Sequence, residues 1–150
     1  MTAPKQPVSV LVVIHTPELD VLLLERAAHP GYWQSVTGSR ETDESPEITA
    51  QREVFEETGI SLPLASYRNW SLTNTYEIFQ QWRHRYAPGV TSNVEHVFSL
   101  CLPKPAAITA SPSEHRAWQW FPWQEAATLC FSWSNRDAIL MLPERVQQGT

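Results

Sequence analysis

Gly38-Ser-Arg-Glu-Thr-Asp-Glu44, seven further residues, and then Arg52-Glu53-Val54-Phe55-Glu56-Glu57-Thr58-Gly59-Ile60 form the stretch on which the reading of this chain turns. Inside it the sequence predicts a helix over Pro46 to Thr58. Ser45 is placed to cap its first turn, and Pro46 suits the first helical position, where no amide hydrogen is needed. Gly59 supplies the left-handed residue that ends it. At roughly 100° per residue, Glu57 falls about 40° and Glu56 about −60° from Glu53, so three carboxylates share one face. Val54, Phe55 and Ile48, with Gln51 between them, centre about 160° away and are expected to pack on a sheet.

Like charges spaced i, i+3 and i+4 cost an isolated helix about 0.2–0.5 kcal/mol per pair. These anions also lie toward the helix C-terminus, the wrong end for the macrodipole. Arg52, four residues before Glu56, offsets one charge. A hard divalent cation would offset the rest, and Mg²⁺ or Mn²⁺ suits an all-carboxylate site. Taken alone, the spacing is that of a solvated acidic face; the flanking residues change this reading.

With those flanks the stretch resembles a complete Nudix box, G-x5-E-x7-R-E-U-x-E-E-x-G-U with U aliphatic, met at every fixed position. The resemblance implies a Nudix fold, an α/β/α sandwich with a mixed central sheet, spanning residues 1–150 as a single domain. It implies divalent cations held mainly by Glu53 and Glu57, often with Glu56, and an Arg52 that orients carboxylates. Together these four make the expected catalytic set. It also implies hydrolysis of a phosphoanhydride, in which a metal activates water and a carboxylate accepts its proton. Both Glu56 and Glu57 are within reach for that role. Gly38 is expected to turn the chain from strand to loop, Glu44 to reach back to the metal face, and Ile60 to start the next strand. The family often carries an acidic residue on a late loop, so Glu114 in Ser111-Pro-Ser-Glu-His115 is either a further metal ligand or a solvated loop residue.

The rest of the chain reads as short elements punctuated by prolines. Val8 to Ile14 is a buried strand, with Val21 to Arg26 as its hairpin partner. Further strands are expected at Trp33 to Thr37, in the region Tyr67 to Phe79, at Val94 to Leu102 and at Ala117 to Phe121. Late helices are expected at Pro122 to Leu129 and Asn135 to Leu142. This order gives an α+β chain, a mixed sheet with helices on its faces. A net charge of −5 argues against a nucleic-acid polymer as partner. No apolar run is long enough to span a bilayer and no signal peptide is visible, so a cytoplasmic protein, a monomer or weak homodimer, is expected. Cys101 and Cys130 are expected to be buried free thiols. His15, His29 and His96 read as ordinary surface or core residues.

A second resemblance covers Gly31 to Ser39, Arg83 to Val90 and Phe131 to Arg136. These stretches are similar to the bacterial dihydroneopterin triphosphate diphosphatases, a Nudix subgroup also described as dATP pyrophosphohydrolases. The implied reaction converts dihydroneopterin triphosphate to the monophosphate with release of pyrophosphate, in folate biosynthesis. dATP or another nucleoside triphosphate is the alternative substrate. Lys5 and Arg26, near strand ends, are candidates to meet phosphates. Thr37, Tyr76, Glu77, Phe79 and Ser132, with Trp133 and Asn135, are candidates to hold a flat ring, and seven Trp in this length fit such a pocket. Arg83, His84 and Arg85 form either a solvated loop or a phosphate-grasping lid. Two other classes compete. A non-catalytic Nudix-like module usually lacks a box carboxylate, and here all are present; a calcium-binding structural protein would not release pyrophosphate.

Overall fold

Val8–His15 is apolar and β-branched along most of its length, and it forms the central strand β1 of the computed structural model, which describes residues 3–147. Strand β2 is Asp20–Arg26, β3 Trp33–Gln34 and β4 Val36–Ser39. Helix α1 is Pro46–Thr58, followed by β5 at Tyr67–Glu77, β6 at Ser92–Cys101 and β7 at His115–Pro122. Helices α2, Trp123–Leu129, and α3, Trp133–Gln147, close the chain. The sheet is mixed: β1 runs parallel to β6 from Val8↔Val94 to His15↔Cys101, and the other pairings are antiparallel. None of the described helices is long and apolar enough to cross a membrane.

The expected β1–β2 hairpin is corrected by the structure. The two strands meet only at His15↔Val21 and then part. From there β2 pairs with β7, and the edge of β1 that it leaves is taken by β4, from Ser9↔Ser39 to Val12↔Val36. The single strand expected over Trp33 to Thr37 is therefore two. Its first part pairs with β2 and its second with β1, with Ser35 at the crossing. The sheet forks here, and β4 with its glycine lies along one arm of the fork.

Alternate residues of β1 feed two cores. Val10, Val12 and Ile14 pack with Val54 and Ala50 of α1, while Leu11 and Val13 pack with α2 and α3 through Ala126, Ala138 and Ile139. Helix α1 has the predicted ends: Ser45 Oγ accepts from the Ile48 amide at 3.3 Å, and Gly59 adopts φ 76°. Its orientation differs from the expectation. Ile48 and Phe55 are 43% and 56% exposed. The buried stripe keeps Val54 of the expected face and otherwise runs through Thr49, Ala50, Glu57 and Thr58. The helix turns an acidic residue inward and leaves a phenylalanine outside.

Smaller differences concern single residues. Ile60 packs against the α1-side core, but no strand begins there; the chain passes through a 3-10 turn at Leu64–Ser66 before β5. Cys101 is exposed and Cys130 half-buried, and both are free thiols. Helix α3 extends beyond the expected bounds at both ends and continues through Pro143.

Two phenylalanines test this orientation. Phe98 is fully buried in the α1-side core, so Phe98→Ala should cost about 3–5 kcal/mol in urea unfolding. Phe55→Ala, at an exposed site, should stay within about 0.5 kcal/mol of the parent.

Candidate active site

Helix α1 lies against β4 so closely that one residue must lack a side chain. A Cβ at Gly38 would overlap the carboxylate of Glu53. Gly38 sits within β4, paired with Val10, and is not among the positive-φ glycines Gly31, Gly59 and Gly89. The expected role as a turn-maker is therefore replaced: the glycine leaves room for a carboxylate.

Arg52 gathers the loop and the helix into one cluster. Its Nε donates to Glu44 Oε2 at 2.7 Å and its Nη2 to Glu44 Oε1 at 3.0 Å and to the Ser39 carbonyl at 2.9 Å. Its Nη1 donates to Glu53 Oε1 at 2.7 Å and Glu56 Oε1 at 2.8 Å. The hydrogen bonds from Arg52 hold the Glu44 carboxyl down to about 2, and chiefly the same bonds hold Arg52 charged. Glu44 thus grips the arginine and meets the acidic face of α1 through it.

Glu57 is 3% exposed, shares a hydrogen bond with Glu53, and its Oε1 has no hydrogen-bond partner among the described residues. Burial, then the Glu53 carboxyl, push the Glu57 carboxyl well above the usual range; burial also raises Glu53. Two desolvated carboxyls in contact favour sharing a proton over carrying two charges. His115 Nε2 lies 3.8 Å from Glu57 Oε1. Burial and then Arg26 push this imidazole down to about 4, so it is neutral and offers no counter-charge. His115 lies beside the Gln34 amide at 3.4 Å, and Gln34 Oε1 accepts from Arg26 Nη1 at 3.2 Å. The sequence reading missed this histidine; its only signal was adjacency to Glu114 at the start of a strand.

These residues fit a divalent cation by their chemistry. The unpartnered buried oxygen of Glu57 is an acceptor, and its neighbour Glu53 supplies more oxygens, the hard donors such a cation takes. Among the described residues no three acidic, histidine or cysteine side chains converge on one point. Glu56 is drawn to Arg52, and Glu114, exposed on its loop, is near enough for its charge to act on Glu57.

Three cations, Lys5, Arg26 and Arg85, lie near the carboxylates. Burial lowers the proton affinity of Lys5 and of Arg26; the Arg85 charge lowers both further and Arg26 lowers Lys5, while Glu53 and Glu114 act on Lys5, and Glu57 and Glu114 on Arg26, in the other sense. The Lys5 amide donates to the Arg85 carbonyl at 2.9 Å, and Arg26 stacks its guanidinium 4.8 Å from the Trp82 ring centre. Trp82 belongs to a 3-10 segment, Gln80–Arg85, anchored by its contacts with His29, Phe79 and Phe131. Of the basic cluster, Arg85 is placed with Lys5 and Arg26, and His84 lines the same hollow as Lys5 and Arg85. Arg83 pairs outward with Glu77 at 2.9 Å, and His84 is exposed.

The expected ring-binding residues are divided. Tyr76 and Trp133 meet edge to face at 6.5 Å, and Phe79 is half-exposed beside Phe131. Thr37 is on β4 with its hydroxyl donated to the Val10 carbonyl at 2.9 Å. Ser132 Oγ accepts from the Asn135 amide at 3.2 Å, at the start of α3, and Asn135 reaches Ser35. Glu77, exposed and paired with Arg83, is not near this group. A carboxylate that the sequence reading passed over, Glu95 on β6, is: it is buried, and burial lifts its carboxyl to about 7.

A forked mixed sheet carrying a glycine–helix–glycine loop with inward carboxylates defines the Nudix class of protein. The family model described as the NUDIX domain matches residues 5–142, and the chain belongs to this family. It is 46% identical over 138 residues to the dihydroneopterin triphosphate diphosphatase of Escherichia coli, covering 90% of this chain and 91% of that protein. It is 39% identical over 134 residues to the protein of the same name from Haemophilus influenzae, covering 87% and 84%. The solved structure of the E. coli dihydroneopterin triphosphate pyrophosphohydrolase superposes with a TM-score of 0.85 at 45% identity, covering 92% of this chain and 95% of that one.

Two measurements follow from this geometry. Gly38→Ala should displace Glu53 and lower kcat about 100-fold while the circular dichroism spectrum is retained. Because the Glu44 carboxyl is held below its unfolded value of 4.5, its stabilisation is present above that value and lost as pH falls toward about 2. Urea unfolding from pH 5 downward, at about one-unit steps, should therefore show a shallower loss of stability in Glu44→Gln than in the parent.

Proposed function

We propose that this chain hydrolyses dihydroneopterin triphosphate to the monophosphate with release of pyrophosphate. The observation that carries this reading is the apposition of the buried Glu53–Glu57 pair with Lys5, Arg26 and Arg85. Such a site has an acidic side for cations and a basic side for phosphates, in a protein whose net charge of −5 would otherwise repel a polyanion. The likeness to the two diphosphatases supports the choice of substrate.

Glu53 and Glu57, joined by Glu56 and Glu114, would hold Mg²⁺ or Mn²⁺, which supplies charge neutralisation at the phosphates and an acidified water. Arg52 fixes Glu53 and Glu56 in place through its paired hydrogen bonds. Lys5, Arg26 and Arg85 take the phosphate charge from the other side, with Arg26 braced on Trp82 and Arg85 tied to Lys5 through its carbonyl. One of Glu56 and Glu57 accepts the proton of the attacking water. Neutral His115 packs against Glu57 without neutralising it, leaving that carboxyl available. The protein acts as one domain over residues 1–150, in the cytoplasm, as a monomer or weak homodimer.

With Mg²⁺, the purified protein should release pyrophosphate from dihydroneopterin triphosphate with a higher kcat/KM than from dATP. Orthophosphate as the sole product, or a preference for dATP, would overturn the reading. Glu57→Gln should lower kcat by about 10²–10⁴-fold without loss of the unfolding transition.

A further inference from the structure

The sheet face opposite α1 ends in a polar patch that the reaction described above does not use. Glu95 pairs across the sheet with Ser9 of β1 and Asn74 of β5, and Asn93 pairs with Tyr76 of β5. Ser9, Asn93 and Glu95 are all buried. Asn93 Nδ2 donates to Ser9 Oγ at 2.7 Å and to the Tyr76 hydroxyl at 3.1 Å, which consumes its donors. Its Oδ1 has no partner among the described residues, and neither has Glu95 Oε1. Ser134, at the start of α3, and Asn74 lie against the Glu95 carboxyl. Trp133, exposed, stands edge-on to Tyr76 and walls the patch on one side.

Two buried oxygens without donors are a cost to the folded chain unless a ligand repays it. With Glu95 ionised both are acceptors, which calls for a ligand that presents N–H or O–H groups and is flanked by a flat apolar surface. We propose that Glu95, with Asn93 beside it, recognises the 2-amino-4-oxopyrimidine edge of the substrate ring, accepting hydrogen bonds from the ring N–H and the adjacent exocyclic amino group. This rests on the proposed function and deepens it by naming the part of the substrate that is selected. Pterins and guanine share that edge. Hypoxanthine keeps the ring N–H but lacks the amino group. Adenine presents one donor beside a bare ring nitrogen, which would face the carboxylate lone pairs. A glutamine at this position would offer one donor and one acceptor, the pattern that adenine matches. The carboxylate that the sequence suggested for this task, Glu77, faces Arg83 and solvent instead.

The test measures kcat/KM with Mg²⁺ for dihydroneopterin triphosphate, GTP, ITP and dATP, in the parent and in Glu95→Gln. The parent should prefer GTP to ITP by at least about tenfold, the worth of one hydrogen bond to a charged acceptor. Glu95→Gln should lower the ratio of dihydroneopterin triphosphate to dATP by at least about tenfold. A ratio does not depend on the fraction of protein that is folded. If the variant does not fold, the parent's GTP-to-ITP comparison decides alone, and equal rates overturn the proposal. An unchanged ratio, or a parallel fall for all substrates in Glu95→Gln, also overturns it and assigns Glu95 a structural role. If dihydroneopterin triphosphate is left intact while GTP is preferred to ITP and that preference is lost in the variant, the edge recognition stands and the proposed substrate falls. If dihydroneopterin triphosphate is cleaved without either signature, the substrate stands and the edge recognition falls. A parent protein that cleaves none of these compounds overturns both.

Discussion

Burial of the Glu57 carboxyl on the sheet-facing side of α1 is the constraint around which the rest is arranged. A helix in water would expose such a residue and bury Phe55. Here the order is reversed, and several features answer to the reversal. Gly38 lacks a side chain so that Glu53 can lie beside Glu57. Glu44 and Arg52 lock the loop before the helix to its acidic face. Val54 and Ala50 supply the apolar packing that holds the helix down while the carboxyls remain poorly solvated. An uncompensated buried carboxyl is costly, and Arg52 is spent on Glu44, Glu53 and Glu56, so the Glu53–Glu57 pair is left to share a proton or to take a cation.

The forked sheet gives that acidic centre its surroundings. Because β2 leaves β1 after a single pairing, Arg26 at the end of β2 and His115 at the start of β7 are brought beside α1. Lys5, just ahead of β1, meets the Gln80–Arg85 segment by its backbone. Charges of both signs that are far apart in sequence are thus gathered near one another. The opposite face of the same strands, at Ser9, Asn93 and Glu95, is polar where the core would otherwise continue.

The sequence makes some of this legible and conceals the rest for identifiable reasons. The ends of α1 were readable because Ser45, Pro46 and Gly59 act locally. The strand β1 was readable from its run of β-branched residues. The facing of α1 was not, because placing apolar residues inward fails where a functional carboxyl takes the inward position. The β1–β2 pairing was misread because strand register depends on partners distant in the chain, here β4 and β7. Gly38 was recognised as necessary but for backbone freedom, whereas its actual constraint is the approach of Glu53. Glu95 escaped notice because a single charged residue inside the strand expected at Val94 to Leu102 carries no local sign that it is buried. Lys5 and Arg26 were picked out by position at strand ends, and the structure does place them together, with Arg85 added.

The central claim, that the Glu53–Glu57 pair exists to bind a divalent cation, has a direct thermodynamic signature. Two desolvated carboxyls that share a proton must surrender it when a cation takes its place. Calorimetric titration of Mn²⁺ into the protein near neutral pH, in buffers of different ionisation enthalpy, measures that release. The account predicts saturable binding accompanied by net release of protons. Absence of saturable Mn²⁺ binding, or binding with no proton released, would contradict it.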